Sequence, residues 1–224
     1  MMETFLITGA TSGIGRDETR GAALESDSNG QATFIRCDLA STEDIDHLFV
    51  QLKEQGVTLN GLFNNAATFG RPGTTERLTH ESYTEVFEVN LYALNTVTQR
   101  AIPLFDQGAS VVNNVAIVGH VKFPPMLAHY ATSKAAVVAL TKTFAHRMKG
   151  KVRFNAVCFG PIHTPLSHKL YGGKAKFKEA MTHHFRGHAA LPEEVAPVVE
   201  FLLTDASTYI NGQAITVDGG YTLS

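Results

Sequence analysis

The stretch Phe5-Leu6-Ile7-Thr8-Gly9-Ala10-Thr11-Ser12-Gly13-Ile14-Gly15 decides how this chain folds. Its first three residues are an apolar run typical of a buried strand, and glycines follow at positions 9, 13 and 15. A helix that begins in such a turn points its free N–H groups and its positive dipole end at a pyrophosphate. The stretch therefore predicts a dinucleotide-binding strand, turn and helix, with an ordinary glycine turn as the alternative. The residues expected at the cofactor are Gly9, Ser12, Gly13, Ile14 and Gly15.

Beyond this stretch, short β-rich runs alternate with segments of helical periodicity. Such alternation predicts an α/β fold, a doubly wound, Rossmann-like parallel sheet covered by helices on both faces, as a single domain over residues 1–224. Long helices are expected at Glu81–Ile102 and Ala131–Met148, and another helix should begin after Ser41, which would cap it. The candidate strands are Thr4–Thr8, Ala32–Cys37, Gly61–Asn64, Ser110–Asn114, Arg153–Cys158 and Ala214–Val217.

The interval after the glycine turn is too short for this fold. It runs from Arg16 to Gln31, before the strand Ala32–Cys37. A mononucleotide-binding half places a helix, a strand and a helix there, and one parallel crossover alone takes about a dozen residues. One helix and the second strand are therefore predicted to be absent. Either the protein lacks them or the sequence omits residues. We favour an omission, because a hole would expose a sheet edge and the core.

A second informative stretch is Tyr130-Ala131-Thr132-Ser133-Lys134. One helical turn separates Tyr130 from Lys134, so the phenol and the ammonium project from the same face. A cation beside a phenol lowers the phenol's pKa from about 10, and such a phenol can exchange a proton with an alcohol or carbonyl oxygen. The same spacing is common on exposed helices, so the pair gains its weight from the glycine turn.

Together the motifs resemble the short-chain dehydrogenase/reductase family over nearly the whole chain. Besides the two stretches above, the matching segments are Phe63–Ala67, Val89–Leu91, Gly160–Thr164 and Gly212–Gly220. The resemblance implies an NAD(P)(H)-dependent oxidoreductase that interconverts a ketone and a secondary alcohol. It also implies roles for three residues: Tyr130 as acid/base, Lys134 as its electrostatic partner and a ligand of the nicotinamide ribose, and Asn90 as the holder of a water that links Lys134 to solvent.

The resemblance also assigns cofactor contacts away from the glycines. Asp38, with Leu39 beside it, would accept from the adenine amino group; a turn residue before a helix is the alternative for Asp38. Asn64 and Ala66 would border the adenosine ribose. Ile162 would fix the carboxamide and Thr164 the diphosphate, although Thr164 could instead cap a helix. NADP(H) is preferred over NAD(H), because Arg16 would suit a 2′-phosphate if it follows the lost strand; Ser12, where phosphate-selective relatives often carry a basic residue, favours NAD(H).

The second departure from the family concerns the serine expected before Tyr130. Ala116 occupies that position, with Ile117 next if the spacing slips by one, and neither donates a hydrogen bond. The loss of one preorganised donor typically costs about 10²–10³ in rate. Two other functions therefore stay open: a non-redox enzyme (isomerase, dehydratase or cyclase), or a catalytically silent binding protein.

Composition bounds the partners. A net charge of −2 gives no electrostatic footprint for nucleic acid, and no apolar run approaches a membrane span. Cys37 and Cys158 are expected to be free thiols in a reducing cytosol. Residues 165–191 are predicted to be a substrate-covering lid, and its histidines lack the cysteine or carboxylate that a metal site needs. The two long helices imply, by resemblance, a homodimer or homotetramer, although core packing explains the same pattern.

Overall fold

The structure is a computed structural model that describes residues 3–10, 17–183 and 186–223. Within these ranges one sheet contains five parallel strands in chain order: β1 Phe5–Ile7, β2 Leu59–Asn64, β3 Phe105–Ala116, β4 Arg153–Phe159 and β5 Ala214–Val217. The described α-helices are α1 Glu18–Asp27, α2 Thr42–Glu54, α3 His80–Phe87, α4 Leu94–Ala101, α5 Ala128–Arg147, α6 Pro165–Leu170, α7 Lys174–Ala180 and α8 Pro192–Leu203. The predicted α/β class with a parallel sheet is confirmed.

Strand β3 shows how the sheet separates two helical layers. Val115 packs with Leu94 of α4 and Val137 of α5, whereas Val112 packs with Val199 and Leu202 of α8. Successive side chains of a strand point to opposite faces, so both faces of β3 are buried. The apolar residues of this strand therefore lie on both of its faces.

The predicted strand Ala32–Cys37 is wrong, because no strand is assigned to these residues. In the described part of the chain β1 pairs with β2 alone, so the position beside its other edge holds no strand. Residues 32–37 do not occupy that vacant position, so they form no backbone ladder with β1. Other contacts hold these residues. The Cys37 side chain is buried in the main core, and the Phe34 backbone N–H donates to the Glu25 carboxylate at 2.6 Å.

The predicted helices form where their capping and periodicity place them. The Ser41 side chain accepts from the Asp44 N–H at 3.1 Å and begins α2, as expected. The helix expected at 81–102 is divided, since a π-helical turn at Glu88–Ala93 lies between α3 and α4. A π turn adds one residue to the helical repeat and is frequent at functional sites. Asn90 lies within this turn.

The described residues between 165 and 191 follow β4 in the chain and pack against one another. Helices α6 and α7 lie here, with a small core of Phe177, Met181 and Ala189. The segment returns to its starting point, because the His163 N–H donates to the Ala190 carbonyl at 2.8 Å.

Both cysteines of the chain are free and buried, and no described helix has the length and hydropathy of a membrane span.

Candidate functional site

The carboxyl ends of β1 and β2 are held together by Thr8 and Gly9. The Thr8 hydroxyl accepts from the Asn65 N–H at 3.0 Å and the Ala66 N–H at 3.3 Å. Gly9 has φ +69°, and a Cβ on it would lie 2.8 Å from the Ala66 Cα. No other residue type fits this close approach without a shift of the backbone. The structure thus brings Gly9, Asn64 and Ala66 to one edge of the sheet.

A small cavity of about 10 Å³ opens beside this contact, and Leu39, Asn64, Ala66 and Val89 are among its lining residues. The Asn64 side chain donates to Thr98 and Asn113, while its Oδ1 is buried and has no partner among the described residues. Leu39, Asn64 and Ala66, three of the predicted cofactor contacts, therefore share one cavity.

The Asp38 and Thr164 side chains both accept hydrogen bonds from nearby backbone N–H groups, as the structural alternatives for these two residues predicted. The Asp38 carboxylate accepts from the Ala40 N–H at 3.0 Å, in the turn before α2. The Thr164 hydroxyl accepts from the Ser167 N–H at 3.1 Å and caps α6. Ile162 forms a backbone bridge with Ala190 at the base of the lid. Ser12, Gly13, Ile14 and Gly15 lie outside the described residues.

Helix α5 buries Tyr130 and Lys134 together. The Lys134 Nζ lies 5.9 Å from the centroid of the Tyr130 ring and donates to the Asn114 carbonyl of β3 at 2.6 Å. Lys134 is 1% exposed and Tyr130 5% exposed. Gly119, with φ +94°, allows the loop after β3 to contact this helix, since a Cβ there would lie 2.4 Å from the Ala131 carbonyl oxygen.

Burial changes both ionisable groups of this pair. It lowers the pKa of Lys134 to about 7, and the neighbouring Cys158 opposes this shift. Burial also raises the pKa of Tyr130 above its ordinary value. The predicted lowering of the Tyr130 pKa by Lys134 is therefore not seen in this structure, in which burial sets the direction of the shift.

Asn90 joins three segments around the pair. It is fully buried, its Oδ1 accepts from the Thr68 N–H at 2.8 Å, and its Nδ2 donates to the Thr68 carbonyl at 3.0 Å and to the Ser133 hydroxyl at 3.1 Å. These bonds tie the loop after β2 to the π turn and to α5. Among the described residues Asn90 makes no direct hydrogen bond to Lys134.

Ala116 ends β3 beside Tyr130, at the position expected for a serine. Both belong to one apolar cluster, which also contains Phe69, Val86 and Leu127. A methyl group there offers no hydrogen bond to a carbonyl oxygen. The departure seen in the sequence is thus a feature of the site itself.

One observation fits a dinucleotide at this edge. In the part of the chain that the structure describes, the Lys134 ammonium has one hydrogen-bond acceptor, Asn114, although an ammonium carries three N–H groups. The hydroxyls of a ribose would satisfy the remaining two.

Three residues at the site were missed by the sequence reasoning. Asn114 accepts from Lys134 through its carbonyl, Thr68 holds Asn90 through its backbone, and the Phe69 ring lies 4.5 Å from the Tyr130 ring. Asn113–Asn114 could have been noticed, because two adjacent amides inside a buried strand are unusual. The other two carry no signal in a single sequence.

The described histidines between residues 163 and 188 do not gather into a group of metal ligands. No group of three or more potential metal ligands was found there. His163 Nδ1 and His168 Nε2 lie 3.3 Å apart, and both rings pack against Phe177. His183 lies at the end of the short turn after α7, and His184 is outside the described residues.

Comparison with known proteins gives matches along almost the whole chain. The family model described as enoyl-(acyl carrier protein) reductase matches residues 9–222. The 3-oxoacyl-[acyl-carrier-protein] reductase FabG of Thermotoga maritima is 35% identical over 245 residues, which is 96% of this chain and 96% of that protein. The cyclohexanol dehydrogenase of an Acinetobacter species is 32% identical over 97% of this chain and 94% of that protein.

A solved structure shows the same fold. The ligand-free aldohexose dehydrogenase of Thermoplasma acidophilum superposes with a TM-score of 0.84 at 26% identity, covering 99% of this chain and 95% of that one. The Thermotoga alignment is longer than this chain, 245 positions against 224 residues, so at least 21 residues of that relative have no counterpart here. A missing helix and strand would account for a difference of this size.

Proposed function

The chain belongs to the short-chain dehydrogenase/reductase family, and on that premise we propose that it is an NAD(P)(H)-dependent oxidoreductase that interconverts a ketone and a secondary alcohol. The observation that carries the proposal is the buried pair Tyr130 and Lys134 beside the end of β3. Buried ionisable groups with shifted pKa values are typical of functional sites. The similar proteins include reductases and dehydrogenases, which supports an oxidoreductase in general.

The cofactor would lie along the carboxyl edge of the sheet. Gly9, Leu39, Asn64 and Ala66 would border the adenosine half, and Lys134 would hold the nicotinamide ribose. Ile162 and Thr164 would hold the amide and the diphosphate. When bound, the nicotinamide ring donates or accepts the hydride.

Tyr130 would transfer the proton. Its raised pKa keeps the phenol protonated at neutral pH, so its hydroxyl is ready to donate to a carbonyl oxygen. Lys134, when protonated, would stabilise the negative charge left on the phenol. This assignment favours ketone reduction near neutral pH, and alcohol oxidation would need a higher pH.

The preference for NADP(H) rests on the sequence. Arg16 would pair with a 2′-phosphate and Ser12 opposes that preference; both lie outside the described residues. The chain contains no tryptophan, so the fluorescence of NADPH and NADH can be titrated without interference. Tighter binding of NADPH is expected, and equal or tighter binding of NADH would reverse the preference.

Turnover of ketones tests the reaction. Reduction of a panel of ketones is followed by the absorbance of NADPH or NADH in wild type, Tyr130→Phe and a control, Tyr209→Phe, whose ring is fully exposed. Tyr130→Phe should lose most of the activity, whereas the control should keep it. Activity that survives Tyr130→Phe would rule out Tyr130 as the acid/base.

A second candidate is a binding protein without turnover, or a non-redox enzyme, and Ala116 favours it. No hydrogen-bond donor stands at this position, and its neighbours in the cluster are apolar. Firm binding of a nicotinamide nucleotide, with no reduction of any ketone by wild type, would support this candidate over the first.

We also propose a homodimer or homotetramer in the cytoplasm. Tyr92 on the π turn is 52% exposed, and it belongs to the long helical segment that is expected at the interface. Light scattering after size-exclusion chromatography measures the mass of the assembly, and a monomer would contradict the proposal.

A further inference from the structure

Tyr130 is buried by an apolar cluster whose members differ in exposure. Val86 and Leu127 are buried, whereas Phe69, Ala116, Val118 and Leu170 are partly exposed. A substrate that reaches the Tyr130 hydroxyl must therefore pass the partly exposed members. Phe69 is the largest of them, and its ring meets the Tyr130 ring edge-on, with centroids 4.5 Å apart and planes at 60°.

The backbone on both sides of Phe69 is fixed. Thr68 exchanges two hydrogen bonds with Asn90, at 2.8 and 3.0 Å. The Gly70 N–H donates to the Thr68 hydroxyl at 3.1 Å. Gly70 has φ +63°, and a Cβ on it would lie 2.6 Å from a Val86 methyl. The ring can thus open the site by its own rotation, but the segment that carries it stays in place.

We propose that Phe69 closes the reaction site: its ring screens the Tyr130 hydroxyl from water and selects flat, uncharged ketones or alcohols over bulky or anionic ones. A flat apolar substrate can slide against or replace the ring at little cost, since aromatic and aliphatic faces pack well together. A carboxylate held against Phe69 and Leu170 would lose its hydration without a partner. The selectivity rests on the proposed function, whereas the screening does not.

Chemical modification tests the screening without any turnover. Tetranitromethane nitrates accessible tyrosines, and peptide mass spectrometry locates the product. In wild type Tyr130 should stay unmodified while Tyr209 is nitrated. In Phe69→Ala, Tyr130 should become nitrated at least about tenfold faster, with Phe69→Leu in between as a milder variant. Phe201→Ala, a partly exposed phenylalanine of α8, is the matched control and should behave as wild type.

Protection of Tyr130 that is equal in wild type, Phe69→Ala and Phe69→Leu would overturn the proposal, whether or not the protein reduces any ketone. Selectivity is then measured with cyclohexanone, the bulkier 2-decalone and the anionic acetoacetate. The ratio of kcat/KM for 2-decalone to that for cyclohexanone should rise about tenfold or more in Phe69→Ala, mainly through KM. Wild type that prefers acetoacetate, or a ratio that does not change, would contradict the selectivity. No turnover in any variant would instead refute the proposed function, and the nitration rates would still decide the screening.

Discussion

At the scale of single residues, burial favours the neutral form of both groups that the site depends on, so it shifts their pKa values in opposite directions. It keeps the Tyr130 phenol protonated and draws the Lys134 ammonium toward neutrality, with its pKa near 7. A buried cation of this kind lowers stability, because an ammonium loses its hydration and, among the residues that the structure describes, gains one acceptor, the Asn114 carbonyl. The site is therefore expected to be maintained for function at some cost in folding free energy.

Lys134→Met measures that cost. The pKa of Lys134 is about 7 in the folded protein, against its ordinary 10.5, so between these values the unfolded chain binds a proton that the folded chain does not. The contribution of Lys134 to stability therefore rises as the pH goes from about 7 to 10.5, and it is constant below 7. Lys134→Met should be more stable than wild type by roughly 2–4 kcal/mol at pH 6.5, and this gain should shrink toward pH 10. Urea unfolding at pH 6.5 and 9.5 gives the comparison.

The control for this change is Lys142→Met, on the exposed face of the same helix. It should alter the free energy of unfolding by less than about 0.5 kcal/mol at either pH. A gain for Lys134→Met that is the same at both pH values would contradict the shifted pKa.

Ala116→Ser restores the donor that the site lacks. If the protein is a reductase limited at this position, turnover should rise about tenfold or more, since one well-placed donor is worth a few kcal/mol in the transition state. Ala116→Val, which adds bulk without a donor, is the matched control. Steady-state rates with a ketone that wild type reduces decide the matter. A serine that gives no more than valine does would show that the pocket has been adapted to another use.

The residues of the candidate site were largely predictable from spacing, whereas their ionisation was not. Tyr130 and Lys134 follow from one helical turn, and Asn90 from a poor helix former in the middle of a helical pattern. The pKa of Tyr130 depends on what covers it, and two of the covering residues, Phe69 and Val86, are distant in sequence. Only the assembled fold carries that information.

At the scale of elements, capping explains what the sequence predicted well, and irregular turns explain what it missed. Ser41, followed by acidic residues in the first helical turn, predicts the start of α2, because the signal is local. The π turn at Glu88–Ala93 has no comparable signal, since its extra residue is stabilised by bonds from Asn90 to Thr68 and Ser133. Thr164 shows that one residue can have a structural and a proposed functional role together.

The end of α8 depends on an unusual contact from β4. The Arg153 guanidinium donates to the carbonyls of Thr204 at 2.9 Å, Ser207 at 3.0 Å and Leu202 at 3.2 Å. Burial lowers the pKa of Arg153, and Asp205 opposes this shift. One side chain thus adds donors to carbonyl groups at the helix end that also accept from other groups, such as the Ser110 hydroxyl at Leu202 and the Ile210 N–H at Ser207. It also joins α8 to β4.

Arg153→Lys should reduce the free energy of unfolding by about 2–3 kcal/mol, because an ammonium cannot reproduce the planar set of donors and loses several charge-assisted hydrogen bonds. Arg100→Lys is the matched control. Arg100 pairs with Asp46 at 2.7 Å on the surface, and its replacement should cost clearly less than that of Arg153. Urea denaturation of both variants gives the comparison, and equal losses would contradict the helix-end role.

At the scale of the whole molecule, the sequence predicted the parallel sheet and the shortage of chain after Gly15. It failed at Ala32–Cys37, where propensity favours a strand but no ladder forms among the described residues. At least 21 residues of the relative from Thermotoga maritima have no counterpart in this chain, which agrees with the shortage. Strand propensity is conditional on pairing, and a single sequence cannot report the pairing.

The parallel order of the sheet has a consequence for the speed of folding. Its closest register pair by sequence joins Ser110 to Arg153, and Phe5 must find Gly61. No hairpin can nucleate such a sheet, so the chain pays the entropy of closing long loops before any ladder rewards it. Stopped-flow refolding from urea should therefore show a slow main phase, from milliseconds to seconds, with helical dichroism appearing before the burial of the sheet. Refolding yields should fall as protein concentration rises. Among the described residues β1 pairs with β2 alone, so its other edge can pair with another chain while the sheet forms slowly.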